Sequence, residues 1–333
     1  MRVAALVITL LSLLAGCSEP TSDSPMVVYT SRDDALMKAL FEAYSDDSGV
    51  PVRYVTGSAA ELIARLHREG RSTPADVLMV SDAANLWLAA RRDVLSPLQS
   101  VVLSANVPMY LRDPAGRWFA LTKRARTLVY STERVDPQTL SSYAALSEPA
   151  WKGRLCLTSA DNLANRSLVA TLIASHGTAW TRRVLSGWVN NLATQVFAND
   201  TALMEAIIAG QCDVGIVNSY LYGRLKQDNP QLPLALRWAD QRGQGVHINI
   251  TGAGVTQYAP HRVAATQLLE WLSQPRAQQL LANGNLEYPV NAAVNPPAAV
   301  ASWGRFRGSD LPVALAGSLQ QQAEALMAEV DYP

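Results

Sequence analysis

Residues 213–225 read DVGIVNSYLYGRL, and the fold is decided there. Val214, Gly215, Ile216 and Val217 form a short apolar run of the kind a buried parallel strand shows. Asn218 and Ser219 break the run with turn and cap chemistry, and a helix is predicted from Tyr220 onward. In open α/β sheets ligands gather outside the carboxyl ends of strands, so Tyr220 and Tyr222 fall where a binding cleft belongs. Two phenols so placed either ligate a hard cation or serve as interfacial aromatics with hydrogen-bonded hydroxyls.

The same alternation of strand and helix extends to both sides. Upstream, strands are predicted at 27–30, 52–55 and 75–80, each followed by a helix. The first helix carries Leu36, Met37, Leu40, Phe41 and Tyr44 at helical spacing. The second opens on a capping box, Ser58 with Glu61. Asp82 is placed to cap the third. Strands at 118–121 and 126–130 flank the charged pair Lys123-Arg124, and the αβ pattern restarts beyond them. A helix is expected at 139–146, a strand at 154–158, and helices at 165–176 and 179–190. Asp200 is expected to cap a helix that Gly210 ends. Strands at 232–238 and 246–255 follow. Ala265, Leu268, Leu269 and Leu272 mark an amphipathic helix. A further helix at 276–282 is expected to stop at Asn283-Gly284, and Ser318 to cap a last one at 319–329.

A chain of 333 residues is long for one core, since single cores seldom pass about 250–300 residues. Its 17% charged and 49% hydrophobic residues are an ordinary globular mixture. Lys+Arg and Asp+Glu both number 28, which leaves no electrostatic footprint for nucleic acid.

Met1-Arg2 opens with positive charge, and residues 3–14 form an apolar segment too short to span a bilayer. Leu14-Ala15-Gly16-Cys17 follows, a small-residue cleavage pattern with Cys at the cut. It resembles a bacterial lipoprotein signal, so 1–16 is read as the signal peptide and Cys17 as the lipidated residue. Residues 17–25, rich in Ser, Pro, Thr and Asp, form the tether. The protein is expected outside the cytoplasm, anchored to a membrane. Of three cysteines, two then remain, Cys156 and Cys212. An even pair in an exported chain favours a disulfide, and both stand at predicted strand edges.

An exported, lipid-tethered chain with two αβ lobes points to a solute-binding protein of an ABC importer, with a permease as partner. The expected architecture is a type II-like periplasmic-binding-protein fold. Two parallel-core βαβ lobes are joined by crossing strands at 126–131 and 248–256, and the ligand binds between the lobes under hinge closure. The first lobe takes 26–125 plus about 248–273, and the second 126–247 plus about 274–333.

Several segments sharpen this reading: Tyr29-Thr30-Ser31-Arg32, Gly116-Arg117-Trp118-Phe119, residues 121–126 (LTKRAR), Trp151-Lys152-Gly153-Arg154, residues 249–254 (NITGAG) and residues 283–289 (NGNLEYP). Spread in order along the mature chain, they resemble the ferric-iron-binding subgroup of ABC-transporter solute-binding proteins. The resemblance implies Fe³⁺ as the transported ligand, held by tyrosine phenolates and often a histidine, sometimes with a synergistic anion. Fe³⁺ is hard and favours anionic oxygen. A phenol of pKa near 10 ionises under the metal's charge.

The ligand positions themselves depart from that pattern. Ser31-Arg32 is followed by Asp33-Asp34 where the family commonly has His-Tyr. Asn165-Arg166-Ser167-Leu168 is preceded by Ala164 in place of Tyr. Asn218-Ser219-Tyr220-Leu221-Tyr222-Gly223 keeps Tyr220, while Leu221 stands where a second tyrosine is expected. Tyr222 is no simple replacement, because one residue turns a helical side chain by about 100°. Two readings stay open. In one, Tyr220 keeps an altered metal site with Asp33, Asp34 or Asp161 as carboxylate ligands and Tyr222 nearby. In the other, the cleft takes a small anion or a metal chelate, held by Arg32, Arg126, Ser219 and the helix N-termini at Ser58 and Tyr220.

Each candidate has a plainer alternative. Asp33 and Asp34 suit a helix start without any ligand. Asp161-Asn162 fits a turn, and Lys123-Arg124 with Arg126 fits a solvated strand edge. His67, His176, His247 and His261 are scattered, with no metal-ligand spacing. No nucleophile elbow, P-loop, dinucleotide fingerprint or C-x-x-C is present, so catalysis is not expected. A ligand-sensing lipoprotein is the third class to hold against transport.

Overall fold

The computed structural model describes residues 25–333. The signal region, Cys17 and all but the last tether residue therefore lie outside the described residues. Three parallel strands open the chain: β1 (Met26–Thr30), β2 (Val52–Thr56) and β3 (Val77–Ser81), with β1 between the other two. Helices α1 (Asp34–Ser48), α2 (Ala59–Glu69) and α3 (Ala83–Arg91) intervene. α1 buries Met37, Leu40, Phe41 and Tyr44, and ends at Gly49 in the left-handed conformation that glycine adopts cheaply. α2 starts with both halves of the capping box in place, Ser58 Oγ accepting from the Glu61 amide and Glu61 from the Ser58 amide.

After α4 (Val101–Asn106) comes β4 (Phe119–Ser131), one continuous 13-residue strand. The sequence divided it at Lys123-Arg124, as a solvated strand edge. Lys123 is instead half-buried and Arg124 is only 6% exposed, because strands lie on both sides of β4 at that point. The expected helix at 139–146 is replaced by short 3₁₀ turns, Pro137–Thr139 and Ala144–Ser147. Ser141 and Ser142 between them favour local turn bonding, and the Ser142 hydroxyl accepts from the Ala145 amide.

β5 (Leu155–Cys156), α5 (Leu163–His176), α6 (Thr178–Asn190), α7 (Asp200–Ile208), β6 (Val214–Asn218), α8 (Ser219–Asp228) and β7 (Leu234–Arg237) follow. The apolar run at 214–217 is fully buried, as its reading required. It pairs parallel only with β5, and antiparallel with β4 on its other edge. Cys156 and Cys212 form a disulfide with their Cα atoms 5.9 Å apart, joining β5 to the approach of β6. Asn199 caps α7, not Asp200, whose carboxylate is buried and otherwise engaged.

β8 (His247–Val255) is the second long strand. It pairs antiparallel with β3 through Ser81 and with β4 from Phe119 to Arg126. Around Arg126 β7 takes over from β8 on one edge of β4, and β6 from β9 on the other, so β4 passes there from one half of the molecule into the other. Gly252, within the predicted strand, is needed for the contact of β8 with β4. A Cβ there would stand 2.7 Å from the Phe119 carbonyl oxygen.

α9 (Arg262–Leu272), α10 (Pro275–Asn285), β9 (Tyr288–Pro289), α11 (Ala298–Ala301), α12 (Ala314–Ser318) and α13 (Gln320–Glu329) complete the chain. α10 runs through Asn283-Gly284 and stops at Leu286, which adopts φ 54°. It lies against α1, β4 and β9, and Gly284 gives room to Leu36. Ser318 closes α12 and does not cap α13. The strands form one mixed nine-stranded sheet, ordered β2-β1-β3-β8-β4-β6-β5, with β7 and β9 also on β4.

Candidate ligand cleft

Side chains on a strand alternate in direction, so Thr122, Arg124 and Arg126 of β4 share one face. Register places Asn249 of β8 opposite Arg124. The chain ends leaving β1, β3 and β6 bring Arg32, Asp82, Asn218 and Tyr220 to the same region. Glu287 arrives from the turn between α10 and β9.

The centre is a charge cluster around Tyr220. Arg124 Nη1 lies 3.5 Å from Glu287 Oε1, and Arg32 Nη2 lies 3.9 Å from Glu287 Oε2. Thr122 Oγ1 donates to the same carboxylate. Arg32 is fixed at its other end by a 2.8 Å bond from Nη1 to Ser81 Oγ. Burial pushes the Tyr220 phenol above its ordinary pKa, Arg124 opposes that shift, and Glu287 and Asp200 add to it. No hydrogen bond reaches the Tyr220 hydroxyl among the described residues. Several buried polar atoms here also find no hydrogen-bond partner: Arg32 Nε, Arg124 Nη1, Asn218 Oδ1, Asn285 Nδ2 and Glu287 Oε1. Native interiors hold few such atoms. Two guanidiniums with unused donors, Arg32 Nε and Arg124 Nη1, stand with the Glu287 carboxylate beside a phenol able to donate or accept, and Asp82 lies near Arg124.

A saturated network supports the cluster from below. Asp82, at φ 78° and 4% exposed, accepts from the Ala84 amide, from Asn249 Nδ2 at 2.6 Å and from Ser167 Oγ at 3.1 Å. Burial raises its pKa and the nearby Arg124 charge lowers it. Asp82 thus ties β3, the crossing strand β8 and helix α5 together, well beyond its expected role as a cap.

The structure distributes the sequence candidates unequally. Arg32 and Tyr220 come together. Arg126 is on the same strand face but fully occupied by Asp200, Asn165, Thr158 and the Ile216 carbonyl. Ser219 is buried, with its Oγ accepting from the Ala125 amide at 3.3 Å. Ser58 is exposed and satisfied within its own capping box. Asp33 is exposed and faces Arg224 Nη2 at 3.3 Å. Arg224 in turn bonds Asn285 Oδ1 and lies 5.4 Å over the Tyr220 ring. Asp34 accepts from the Tyr54 hydroxyl. Asp161 is exposed, and its carbonyl accepts from Arg166. Tyr222 turns away into an apolar cluster, donating to the Leu234 carbonyl with its ring edge-on to Trp303. Among the described residues no three His, Cys, Asp or Glu side chains gather as a metal would need.

Arg124, Glu287, Asp82 and Asn285 were missed as site residues. Arg124 was within reach, since it stands two positions from Arg126 and must share its strand face. Glu287, a charge set between Leu286 and Tyr288, gave a weaker signal.

Two αβ halves, two crossing strands and a polar, charged cluster at the strand ends define an extracytoplasmic solute-binding protein. The chain belongs to the bacterial extracellular solute-binding protein family, whose model matches residues 39–308. It is 37% identical over 335 residues to iron uptake protein A1 of Synechocystis sp., covering 96% of this chain and 93% of that protein. Iron uptake protein A2 of the same organism is 40% identical, with 92% and 89% covered. The structure of Trichodesmium IdiA (FutA) in complex with iron and citrate superposes with a TM-score of 0.90 at 35% identity, covering 93% of this chain and all of that one.

Proposed function

We propose that this protein is the solute-binding lipoprotein of an ABC importer of the iron(III)-transport type, tethered through Cys17, and that it captures its metal as an anionic chelate. The lobes are drawn much as the sequence divides them, with α10 moved to the first by its packing on α1. They close on the chelate over the crossing strands, and a permease receives it.

The observation that carries the chelate is the Tyr220 cluster: the guanidiniums of Arg32 and Arg124 keep unused donors beside Glu287, and among the described residues no three acidic or imidazole side chains gather there. Bare Fe³⁺ would meet the guanidiniums of Arg32 and Arg124 there. A carboxylate-wrapped ferric ion would meet Arg32 and Arg124, whose forked donors suit carboxylate oxygens. Tyr220 is then the residue nearest to the metal, and Asp33 serves the rim through Arg224. The iron-related relatives support the metal, and the replaced ligand positions support the chelate.

The test is a titration of the purified protein with ferric citrate, with metal-free citrate and with ferric nitrilotriacetate. Ferric citrate is expected to raise the melting temperature, and Arg124→Gln to weaken its binding by about ten- to a hundredfold, the worth of one charge-assisted contact. Absence of any ferric citrate binding defeats the proposal. A strong visible phenolate-to-iron band with all ferric sources, lost in Tyr220→Phe, would replace it with direct ligation.

A further inference from the structure

Lys123 points the other way. Alternation along β4 sends it to the face opposite Arg124, and register sets it between Ile250 of β8 and Tyr288 of β9. With a strand on each side, its side chain cannot lie along a sheet edge and must rise from the face. There it enters a cavity of about 480 Å³ lined also by Tyr110, Ile248, Tyr288, Pro296 and Phe306. That volume is typical of small-molecule sites, about 300–1,000 Å³.

The lining is apolar and aromatic except at a few points. Tyr288 and Phe306 meet edge to face, with ring centroids 5.0 Å apart. Arg305 adds a second cation at the exposed rim. No carboxylate belongs to the lining. Asp310, whose charge acts on Tyr110, is exposed and not part of it. Lys123 makes no ion pair or hydrogen bond among the described residues, and burial pulls its pKa down. A half-buried ammonium facing aromatic walls, without a counterion, lacks the anion that would offset its desolvation.

We propose that this cavity, behind the crossing strands and independent of the cleft and of its cargo, is a second binding site for a small organic carboxylate with a flat apolar body. The carboxylate meets Lys123, the body lies among Tyr110, Ile248 and Phe306, and Arg305 guides entry. Its place against β4 and β8 sets such a ligand on the segment about which the lobes hinge.

Benzoate is the probe, with benzamide as its neutral counterpart. Isoleucine-methyl NMR of the purified protein locates binding, because Ile248 lines the cavity while Ile63 lies on the buried face of α2. Saturable benzoate shifts are expected at Ile248 and not at Ile63. Benzamide is expected to bind at least tenfold more weakly, and Lys123→Met to weaken benzoate at least tenfold, with Lys123→Arg restoring most of it. The proposal is overturned by the absence of a saturable shift at Ile248, by equal binding of benzamide, or by undiminished benzoate binding in folded Lys123→Met. Should Lys123→Met fail to fold, the benzoate-to-benzamide ratio decides alone.

Discussion

Arg124 and Arg126 stand two residues apart on the same strand face, and both are buried, yet they live in different electrostatic worlds. Arg126 is 1% exposed and spends its guanidinium on Asp200, two buried side-chain oxygens and a backbone carbonyl. Arg124 reaches Glu287 only at 3.5 Å, and its Nη1 finds no hydrogen bond. One arginine is satisfied by the protein; the other waits for something the protein does not supply. A buried charge that is fully paired holds structure together. One left partly unpaired costs stability unless a ligand completes it.

Breaking the satisfied half produces the largest effect. Arg126→Met leaves Asp200, which is 2% exposed, without a cation, and Asn165 Oδ1 loses its donor as well. Removal of one member of a buried pair costs about 3–5 kcal/mol. Urea unfolding at pH 7 is expected to show that loss. A cost below about 1 kcal/mol would place Arg126 with Arg124.

His247 lies opposite Arg126 in the β4–β8 register and reports on both arginines. Burial, with the charges of Arg126 and then Arg124 behind it, lowers its pKa from 6.5 to about 3. The unfolded chain takes up this proton at a pKa near 6.5, while the folded one refuses it. The contribution is therefore complete above pH 6.5 and is lost as pH falls toward 3. At pH 5 the loss amounts to about 2 kcal/mol, at roughly 1.4 kcal/mol per unit. Asp240 runs the other way. Burial raises its pKa to about 6, so its contribution is lost as pH rises through that value. The difference in unfolding free energy between wild type and His247→Gln isolates the histidine. Its change from pH 7 to pH 5 should be about 2 kcal/mol, and a flat difference would mean the imidazole titrates normally.

The contrast between the arginines also marks the limit of what sequence reveals. The strand at 214–217, the capping box and the disulfide pair were all legible, because each rests on a local pattern or on a count. The division of β4 at Lys123-Arg124 failed for a nonlocal reason: β8 and β9 arrive from more than a hundred residues away to bury those charges. The sequence offers Arg126 as an anion holder or as a solvated strand edge, and Asp200, which in fact occupies it, as a helix cap. Only the packing of α7 beside β6 turns that carboxylate inward. Arg32 and Tyr220 were found because they end strands, the one position where topology alone indicates a ligand. Glu287 enters from a turn whose course no pattern fixes.

Arg124→Gln sharpens the comparison from its other side. Glu287 keeps Arg32 and Thr122, and a partly unpaired charge is removed, so stability should stay within about 1 kcal/mol of wild type, far from the loss in Arg126→Met. The same variant should carry most of the loss in ferric citrate affinity. If unfolding shows equal costs for the two arginines, the cleft cluster is structural and the distinction fails.

The smallest effect belongs to the rim. Asp33 and Arg224 pair at 3.3 Å with side chains 70% and 43% exposed, and exposed pairs are worth about 0–1 kcal/mol. Asp33→Ala should therefore leave urea unfolding within about 0.5 kcal/mol of wild type. Its consequence lies in access. Arg224 bonds Asn285 independently of Asp33 and stays over the Tyr220 ring, so the variant removes one negative charge beside the cleft without freeing the guanidinium. An anionic chelate should associate a few-fold faster, an advantage that fades at high salt as screening shortens the reach of surface charge. Stopped-flow association of ferric citrate at low and high ionic strength measures it. Slower association or tenfold weaker ferric binding in Asp33→Ala would instead return Asp33 to the list of metal ligands.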